Sequence, residues 1–467
     1  MPVYDSHVAV IGGGISGLSA AWELQRANIP YALIEKSERW GGKIITESLD
    51  GALVEGGPEA LVTRKPEVYD LAMELGLHDQ IKPASGEARG IYILTNGVPL
   101  AVPLGPLAFL TSPLMSWRGK LRLFKEPFVT PRTDDGDESL ADFTRRRLGD
   151  EALEKLVGPI LGGIYNTDPN TQSILTTSPV MRELEATYGG LFKGLLGRMR
   201  AARRDRRSGA APRPRFISFA GGTETLVREM VAQLTGDLRA GVAVRGLNRL
   251  DDGYEVELGD GTSLRAQSVI LAVPANIAAD LVEPNAAHAA DSLRAIPHTN
   301  IGTVSLLYRR VDLPASLAKM RGLMIPRREK RKIDAITFAS NKDPQAAPDG
   351  YSLLKVFVGG GAPQVVELDD DALVDAVRAE LRDLLAIDAA PVSYRAFRWI
   401  KGYAQAGVGH LEHVAAIEAA LPDDLLVTGS SYRGLAVPDC VRQGRQAARR
   451  VIERMPKQQA LESTQHV

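Results

Sequence analysis

His7-Val8-Ala9-Val10-Ile11-Gly12-Gly13-Gly14-Ile15-Ser16-Gly17-Leu18-Ser19-Ala20-Ala21 runs from a short apolar strand through a glycine turn into a helix, and Glu35 closes a second strand, Tyr31-Ala32-Leu33-Ile34. Strand, turn, helix, strand and acid in that order spell a dinucleotide-binding βαβ unit. Gly12 permits the tight turn, Gly14 lets backbone approach a diphosphate, and Gly17 lets the helix pack close on the strand. Ile15 and Ser16 open the helix, whose N-terminus offers N–H groups and a partial positive charge to a phosphate. Glu35, followed by Lys36, is placed to accept hydrogen bonds from a ribose. The bland alternative is a glycine turn with no ligand, which is a fair reading of a lone glycine triplet but leaves the ordered constellation unexplained.

Arg39, Gly41, Gly42 and Lys43 follow at once. A fold built for a nicotinamide dinucleotide has no reason to put a second glycine pair with flanking bases directly after the ribose acid. Flavin adenine dinucleotide (FAD) gives one, because its diphosphate and ribityl chain continue past the first turn. The spacing resembles the E-x-x-x-R-x-G-G extension of the FAD-binding flavoproteins that include amine oxidases, carotenoid desaturases and protoporphyrinogen oxidases; the alternative is a loop with solvated charges.

Composition agrees with an enzyme having a sizeable core. At 467 residues and 44% apolar, the chain suits two intertwined domains. A net charge of -1 argues against a dedicated nucleic-acid surface. The single cysteine, Cys440, excludes an intrachain disulfide and a cysteine-based metal cluster, and the seven histidines have no close ligand spacing beyond His410 and His413, so no metal site is expected. With no visible leader and no run of about 18 apolar residues, a reducing cytoplasmic location is expected, with peripheral membrane contact left open. That contact would fall at Val98 to Trp117, an apolar stretch broken by Pro99, Pro103, Pro106 and Pro113 and followed by Arg118, Lys120, Arg122 and Lys125. The segment lies at a membrane surface, lines a channel for a greasy ligand, or is simply buried.

Strands of the nucleotide-binding type return along the chain. Val242 to Leu258 alternates like a hairpin around Asp252-Gly253, Val269 to Val273 follows, and Leu425-Leu426-Val427 precedes a helix from about Pro438 to Met455. The expected fold is therefore mixed α/β, with a Rossmann-type FAD domain assembled from 1–84, 216–284 and 411–457. Residues 85–215 read as mainly helical, with one run ended by Gly158-Pro159, and 285–410 as a mixed-sheet substrate domain. The basic run Arg198 to Arg215 reads as a solvated loop or an anionic-lipid contact, and 458–467 as a disordered tail.

The C-terminal stretch Thr428-Gly429-Ser430-Ser431-Tyr432-Arg433-Gly434-Leu435-Ala436-Val437-Pro438-Asp439-Cys440-Val441-Arg442-Gln443-Gly444 puts Pro438 at a helix start, where its missing N–H costs nothing. It resembles the G-x-x-[YF]-x-G-x-x-x-P-D-C-[IV]-x-Q-G ending of the oxygen-dependent porphyrinogen oxidases. Val54-Glu55-Gly56-Gly57-Pro58-Glu59-Ala60, Leu140 to Asp150, Leu161-Gly162-Gly163-Ile164-Tyr165, Phe219 to Leu226, Arg398-Trp399 and Gly409-His410 recur in family order. The resemblance implies FAD-dependent oxidation of a porphyrinogen, coproporphyrinogen III or protoporphyrinogen IX, with dioxygen as acceptor and hydrogen peroxide as product, in haem biosynthesis. Such chemistry asks for a hydride acceptor and an apolar slot rather than a side-chain acid or base, so no catalytic residue is assigned. It also implies FAD contacts from Gly12, Gly14, Ile15, Ser16, Gly17, Glu35, Lys36, Gly42, Lys43, Gly57, Pro58, Glu59, Ala60, Gly429, Leu435, Ala436 and Val437, with Val244 and Trp399 added.

Substrate propionates need cations. Arg64 and Lys65, just beyond the Gly57-Pro58 turn, either reach a carboxylate or are solvated; Arg433 and Arg442 pose the same choice, and Tyr165 stacks on a macrocycle or fills core. The substrate side departs from the family at Leu61, Val62, Asn166-Thr167 and Ala404-Gln405-Ala406, while every flavin motif survives. The resemblance further implies a ferrochelatase as the partner that takes the tetrapyrrole product, and the oligomeric state stays open. Competing readings are an amine oxidase, which would want an aromatic cage where only Tyr432 stands, a carotenoid-type desaturase, and a non-catalytic FAD-fold binding protein.

Overall fold

The computed structural model describes residues 5–83, 90–207, 214 and 216–455, with side chains omitted at 202–207. Among them, a seven-stranded sheet carries the N-terminal motif. Its order is Asp237–Arg239, Tyr31–Ile34, Ser6–Ile11, Ser263–Leu271, Gly253–Leu258, Val244–Leu250, and Leu425–Val427 also pairs with Ser263–Leu271. Ser263–Leu271 is shared lengthwise: positions 263–266 pair antiparallel with Gly253–Leu258, and 269–271 pair parallel with Leu425–Val427. Alternation along the central strand splits the core. Val8 and Val10 face the helices Ile15–Arg26 and Val437–Arg454, whereas Ala9 and Ile11 face Ala275–Val282 and its neighbours.

The terminal helices cross in close contact because their facing residues are small. A Cβ on Gly444 would stand 2.1 Å from the Ser16 carbonyl oxygen, and one on Gly17 would stand 1.9 Å from that of Gly12. The second sheet runs Ser393–Ala404, His298–Arg309, Tyr351–Val358, Ala335–Phe338, Met320–Met324, Gly90–Thr95, Val98–Ala101. One face is closed by the helix Asp370–Leu385, which buries Leu373, Val377, Leu381 and Leu384 at helical spacing and is capped by Asp369 accepting from the Ala372 N–H at 2.8 Å.

Several sequence expectations are corrected. Gly90–Thr95 and Val98–Ala101, assigned to the helical block, form a hairpin that completes the second sheet through parallel pairing with Met320–Met324. The helix does not end at Gly158-Pro159: it widens into a π-helix over Leu153–Gly162, whose i→i+5 pattern accommodates a proline. Arg198 to Arg207 continues the helix Leu191–Arg207 rather than forming a loop; the rest of that basic run lies outside the described residues except 214, as do residues 1–4 and the tail from 456. The Val98 to Trp117 segment is divided, with Leu114 and Met115 buried while Leu104 is 70% and Leu107 75% exposed.

Candidate functional site

The glycine turn is held as tightly as the sequence demands. Gly12 sits at φ +108°, its N–H donates to the Ile34 carbonyl at 2.8 Å, and a Cβ there would lie 2.6 Å from the Ala272 carbonyl oxygen. Gly14 differs, because a Cβ there would meet nothing within 4 Å. The open space begins where the helix Ile15–Arg26 exposes its first N–H groups, with no side-chain cap and no acid in the first turn. Across it lies Gly42, at φ +59°, where a Cβ would stand 3.1 Å from Gly14 Cα, and the Gly41 N–H donates to the Gly13 carbonyl at 2.8 Å.

Two charged side chains fix this cradle. Glu35 accepts from the Gly13 N–H at 2.7 Å and the Ser37 N–H at 2.9 Å, so its carboxylate stands at the lip of the turn while Lys36 points to solvent. Arg39 donates to the carbonyls of Trp40, Ile44 and Gly42 and so clamps the second glycine turn. Lys43 lies deeper and makes no ion pair among the described residues; burial pushes its ammonium below the usual lysine range. A half-buried cation without a carboxylate partner among the described residues, beside a helix N-terminus and a glycine that leaves room for a ligand, has the donor set that a dinucleotide diphosphate requires. FAD fits the residues present.

The C-terminal signature closes the same space. Gly429, at φ +129°, leaves the strand Leu425–Val427, and a Cβ on it would approach the Ser16 hydroxyl at 3.8 Å. Leu435 and Ala436 lead into Val437–Arg454, with Ala436 extended as its N-cap, so the N-termini of two helices converge. His298 secures this loop. Its Nδ1 donates to the Ile296 carbonyl at 2.9 Å, its Nε2 accepts from the Ser431 hydroxyl at 3.1 Å, and burial lowers its pKa, consistent with a neutral ring.

On the far side, the Gly56-Gly57-Pro58-Glu59-Ala60 turn packs so closely that a Cβ on Gly57 would lie 1.9 Å from the Lys43 carbonyl oxygen. Trp399 packs in the adjoining core of Ile45, Val54 and Phe397. Val244 opens an edge strand whose approach is tied to Glu35, since the Val242 N–H donates to the Glu35 carbonyl at 3.0 Å.

The expected substrate residues divide. Lys65 grips the buried Asp439 carboxylate at 2.5 and 2.7 Å, and Arg442 donates to the same group at 2.9 Å. Arg64 is exposed and makes no ion pair among the described residues. Tyr165 donates to the Thr177 carbonyl; burial raises its pKa, Asp439 adds to the rise and Arg64 opposes it, so Tyr165 lies near Arg64 and the Lys65–Asp439 pair. Tyr403 donates to the Ile164 carbonyl at 3.2 Å beside them. Arg433 is the correction: its guanidinium is held bidentate by Glu418 at 3.0 and 2.8 Å and is thereby committed to the helix His410–Ala420.

Sequence reading missed Trp40, whose ring would lie 2.4 Å from a Cβ on Gly13, and the His298–Ser431 pair. It also missed Lys355, although a lone charge in Leu353-Leu354-Lys355-Val356-Phe357 was a visible signal.

Residues 15–452 match the family described as flavin containing amine oxidoreductase. The chain is 32% identical to a coproporphyrinogen III oxidase of Bacillus subtilis, across 94% of this chain and 97% of that one. It is 31% identical to a protoporphyrinogen oxidase of Bos taurus, across 96% and 99%. A solved structure from Exiguobacterium sp. 255-15 superposes with a TM-score of 0.84 at 26% identity, covering 97% of this chain and all of that one.

Proposed function

The chain belongs to the flavin containing amine oxidoreductase family, in the branch with the porphyrinogen oxidases, and is an FAD-dependent oxidoreductase; from that premise we propose that it oxidises coproporphyrinogen III to coproporphyrin III with dioxygen as acceptor and hydrogen peroxide as product, in haem biosynthesis. Protoporphyrinogen IX is the second candidate substrate. The observation that carries the reading is the end-to-end similarity to proteins named for these two reactions, three of the first matches being coproporphyrinogen III oxidases.

In this reading FAD, when bound, supplies the acceptor for a hydride leaving a bridging carbon of the macrocycle. Backbone at Gly12, Gly14, Ile15, Ser16 and Gly17, with Lys43, binds the diphosphate, and Glu35 binds a ribose with Lys36 and Val244 nearby. Gly42, Gly429, Leu435, Ala436 and Val437 bind the ribityl side, while Gly57, Pro58, Glu59, Ala60 and Trp399 border the ring. Arg64 takes a substrate propionate, and Lys65, neutralised by Asp439, orients it less directly. Tyr165 forms a wall of the slot. Residues 1–84, 216–284 and 411–457 then act as the flavin-binding unit, with 85–215 and 285–410 enclosing substrate.

The same reading gives the face around Leu104, Leu107, Trp117, Phe124 and Phe128 a peripheral membrane contact on the cytoplasmic side, near a ferrochelatase that would take the product. Its support is exposure: Phe128 is 88% and Trp117 64% exposed beside Arg118 and Lys125. No helix among the described residues is long and apolar enough to cross a membrane. Aerobic porphyrin fluorescence with the two porphyrinogens in parallel, against spontaneous oxidation, tests the proposal. A faster rate with coproporphyrinogen III is expected; rates at background with both refute it.

A further inference from the structure

The strand Tyr351–Val358 carries one charge, Lys355, in an otherwise uncharged run, and its side chain is only 2% exposed. Burying an ammonium costs several kcal/mol unless partners compensate. Besides the Phe357 ring of its own strand, 5.0 Å away, its partners belong to one turn. The Lys355 Nζ donates to the Gly57 carbonyl at 2.6 Å and stands 3.9 Å from Glu59 Oε1, an oxygen with no hydrogen bond of its own. The other Glu59 oxygen accepts from Lys342 at 2.5 Å. Burial pushes the Lys355 pKa down, and the Glu59 and Glu55 carboxylates oppose that shift.

Holding the turn in place does not require this cation. Thr303, on the neighbouring strand, already donates its hydroxyl to the Gly56 carbonyl at 3.2 Å, and Ser305, directly across from Lys355, has a buried hydroxyl with no partner. A neutral donor at 355 would serve the same carbonyl at lower desolvation cost. The charge is what the sequence adds, and it contacts the Gly57 carbonyl of the segment assigned to the ring edge of the flavin. Two cations, Lys355 and Lys342, face the one carboxylate, Glu59, that they hold below its usual range, while burial pushes Glu55 up, so the cluster is net positive. Net positive charge near the ring favours the electron-rich reduced state over the oxidised one, because the reduced ring is the more negative.

We propose that Lys355 is a positioning residue whose buried charge, delivered through the Gly57–Glu59 turn, raises the reduction potential of the bound FAD. The inference rests on the reading that this turn borders the flavin. The measurement is the flavin midpoint potential of FAD-loaded wild-type, K355Q, K355R and K342M proteins, each by dye equilibration. Glutamine keeps a donor for the Gly57 carbonyl and removes the charge, so K355Q should lose at least tenfold in preference for the reduced flavin, about 30 mV for a two-electron couple. K355R should remain within threefold of wild type. K342M takes a second cation from the half-buried rim of the cluster and should shift the potential in the same direction by threefold or more, which keeps the test alive should K355Q not fold. A flavin-loaded K355Q protein with the wild-type potential overturns the proposal, as does an unmoved K342M if K355Q is lost. Flavin fluorescence of A60W separates the two levels: quenching beside an unmoved K355Q potential condemns the role of Lys355 alone, whereas no quenching condemns the placement of the turn.

Discussion

Arg64 and Glu35 show how much a single residue can be made to answer. Arg64 reaches solvent unpaired among the described residues, next to Tyr165 and the Lys65–Asp439 pair, so R64M should raise KM for a propionate-bearing substrate by about tenfold and leave kcat nearly unchanged, the pattern of lost uniform binding. Steady-state kinetics at fixed oxygen check this, and an unchanged KM would move the propionate elsewhere. For Glu35, loss of charge-assisted hydrogen bonds of about 1.5–3 kcal/mol predicts roughly 10–100-fold weaker FAD binding in E35A, read by flavin titration of apoprotein. Full retention would deny it the ribose. Local spacing alone proposes both positions. The Arg433–Glu418 pair has no such signal: Glu418 reaches Arg433 only when the helix His410–Ala420 folds back against the C-terminal loop, and nothing in the local run announces that contact.

At the scale of elements, the helical region is pinned by charge rather than by apolar packing alone. Arg147 and Glu126 form a fully buried pair, and Glu185, also fully buried, is shared by Arg146, Arg182 and Arg147. Burial would raise the Glu185 pKa, but hydrogen bonds from Arg146 and Arg182 outweigh it and hold the carboxyl at about 2. A depressed carboxylate contributes stability that is complete above its unfolded pKa near 4.3 and is lost as pH falls toward 2, amounting to about 3 kcal/mol. Urea unfolding of wild type and E185Q between those limits should show the wild type losing that increment and the variant lacking it throughout; parallel profiles would contradict the assignment. The sequence offered helices here but not their ends. Gly158-Pro159 reads as a stop on local grounds, yet π-type bonding carries the chain through it, and the hairpin Gly90–Ala101 joins the second sheet only through a partner more than two hundred residues away.

At the scale of the whole molecule, the flavin fold was readable because its glycine motifs report backbone demands that no other residue meets. Which sheet the remaining strands join was not, since that depends on long-range pairing. The apolar face at Leu104, Leu107, Trp117, Phe124 and Phe128 was visible as composition and becomes a surface only in three dimensions. It predicts that the protein cosediments with anionic vesicles and that L107S and F128S together weaken this several-fold, with Trp117 emission shifting to the blue on binding. Absence of any vesicle interaction would leave the face to another partner.

The central claim is that this flavoprotein draws electrons from a porphyrinogen. Anaerobic mixing of the FAD-loaded protein with coproporphyrinogen III, followed by flavin absorbance and porphyrin fluorescence together, tests it most directly. Bleaching of the flavin in step with porphyrin formation, reversed on admitting oxygen with release of peroxide, is the result predicted. A flavin that stays oxidised with coproporphyrinogen III and protoporphyrinogen IX alike, yet bleaches with an amine, would contradict it.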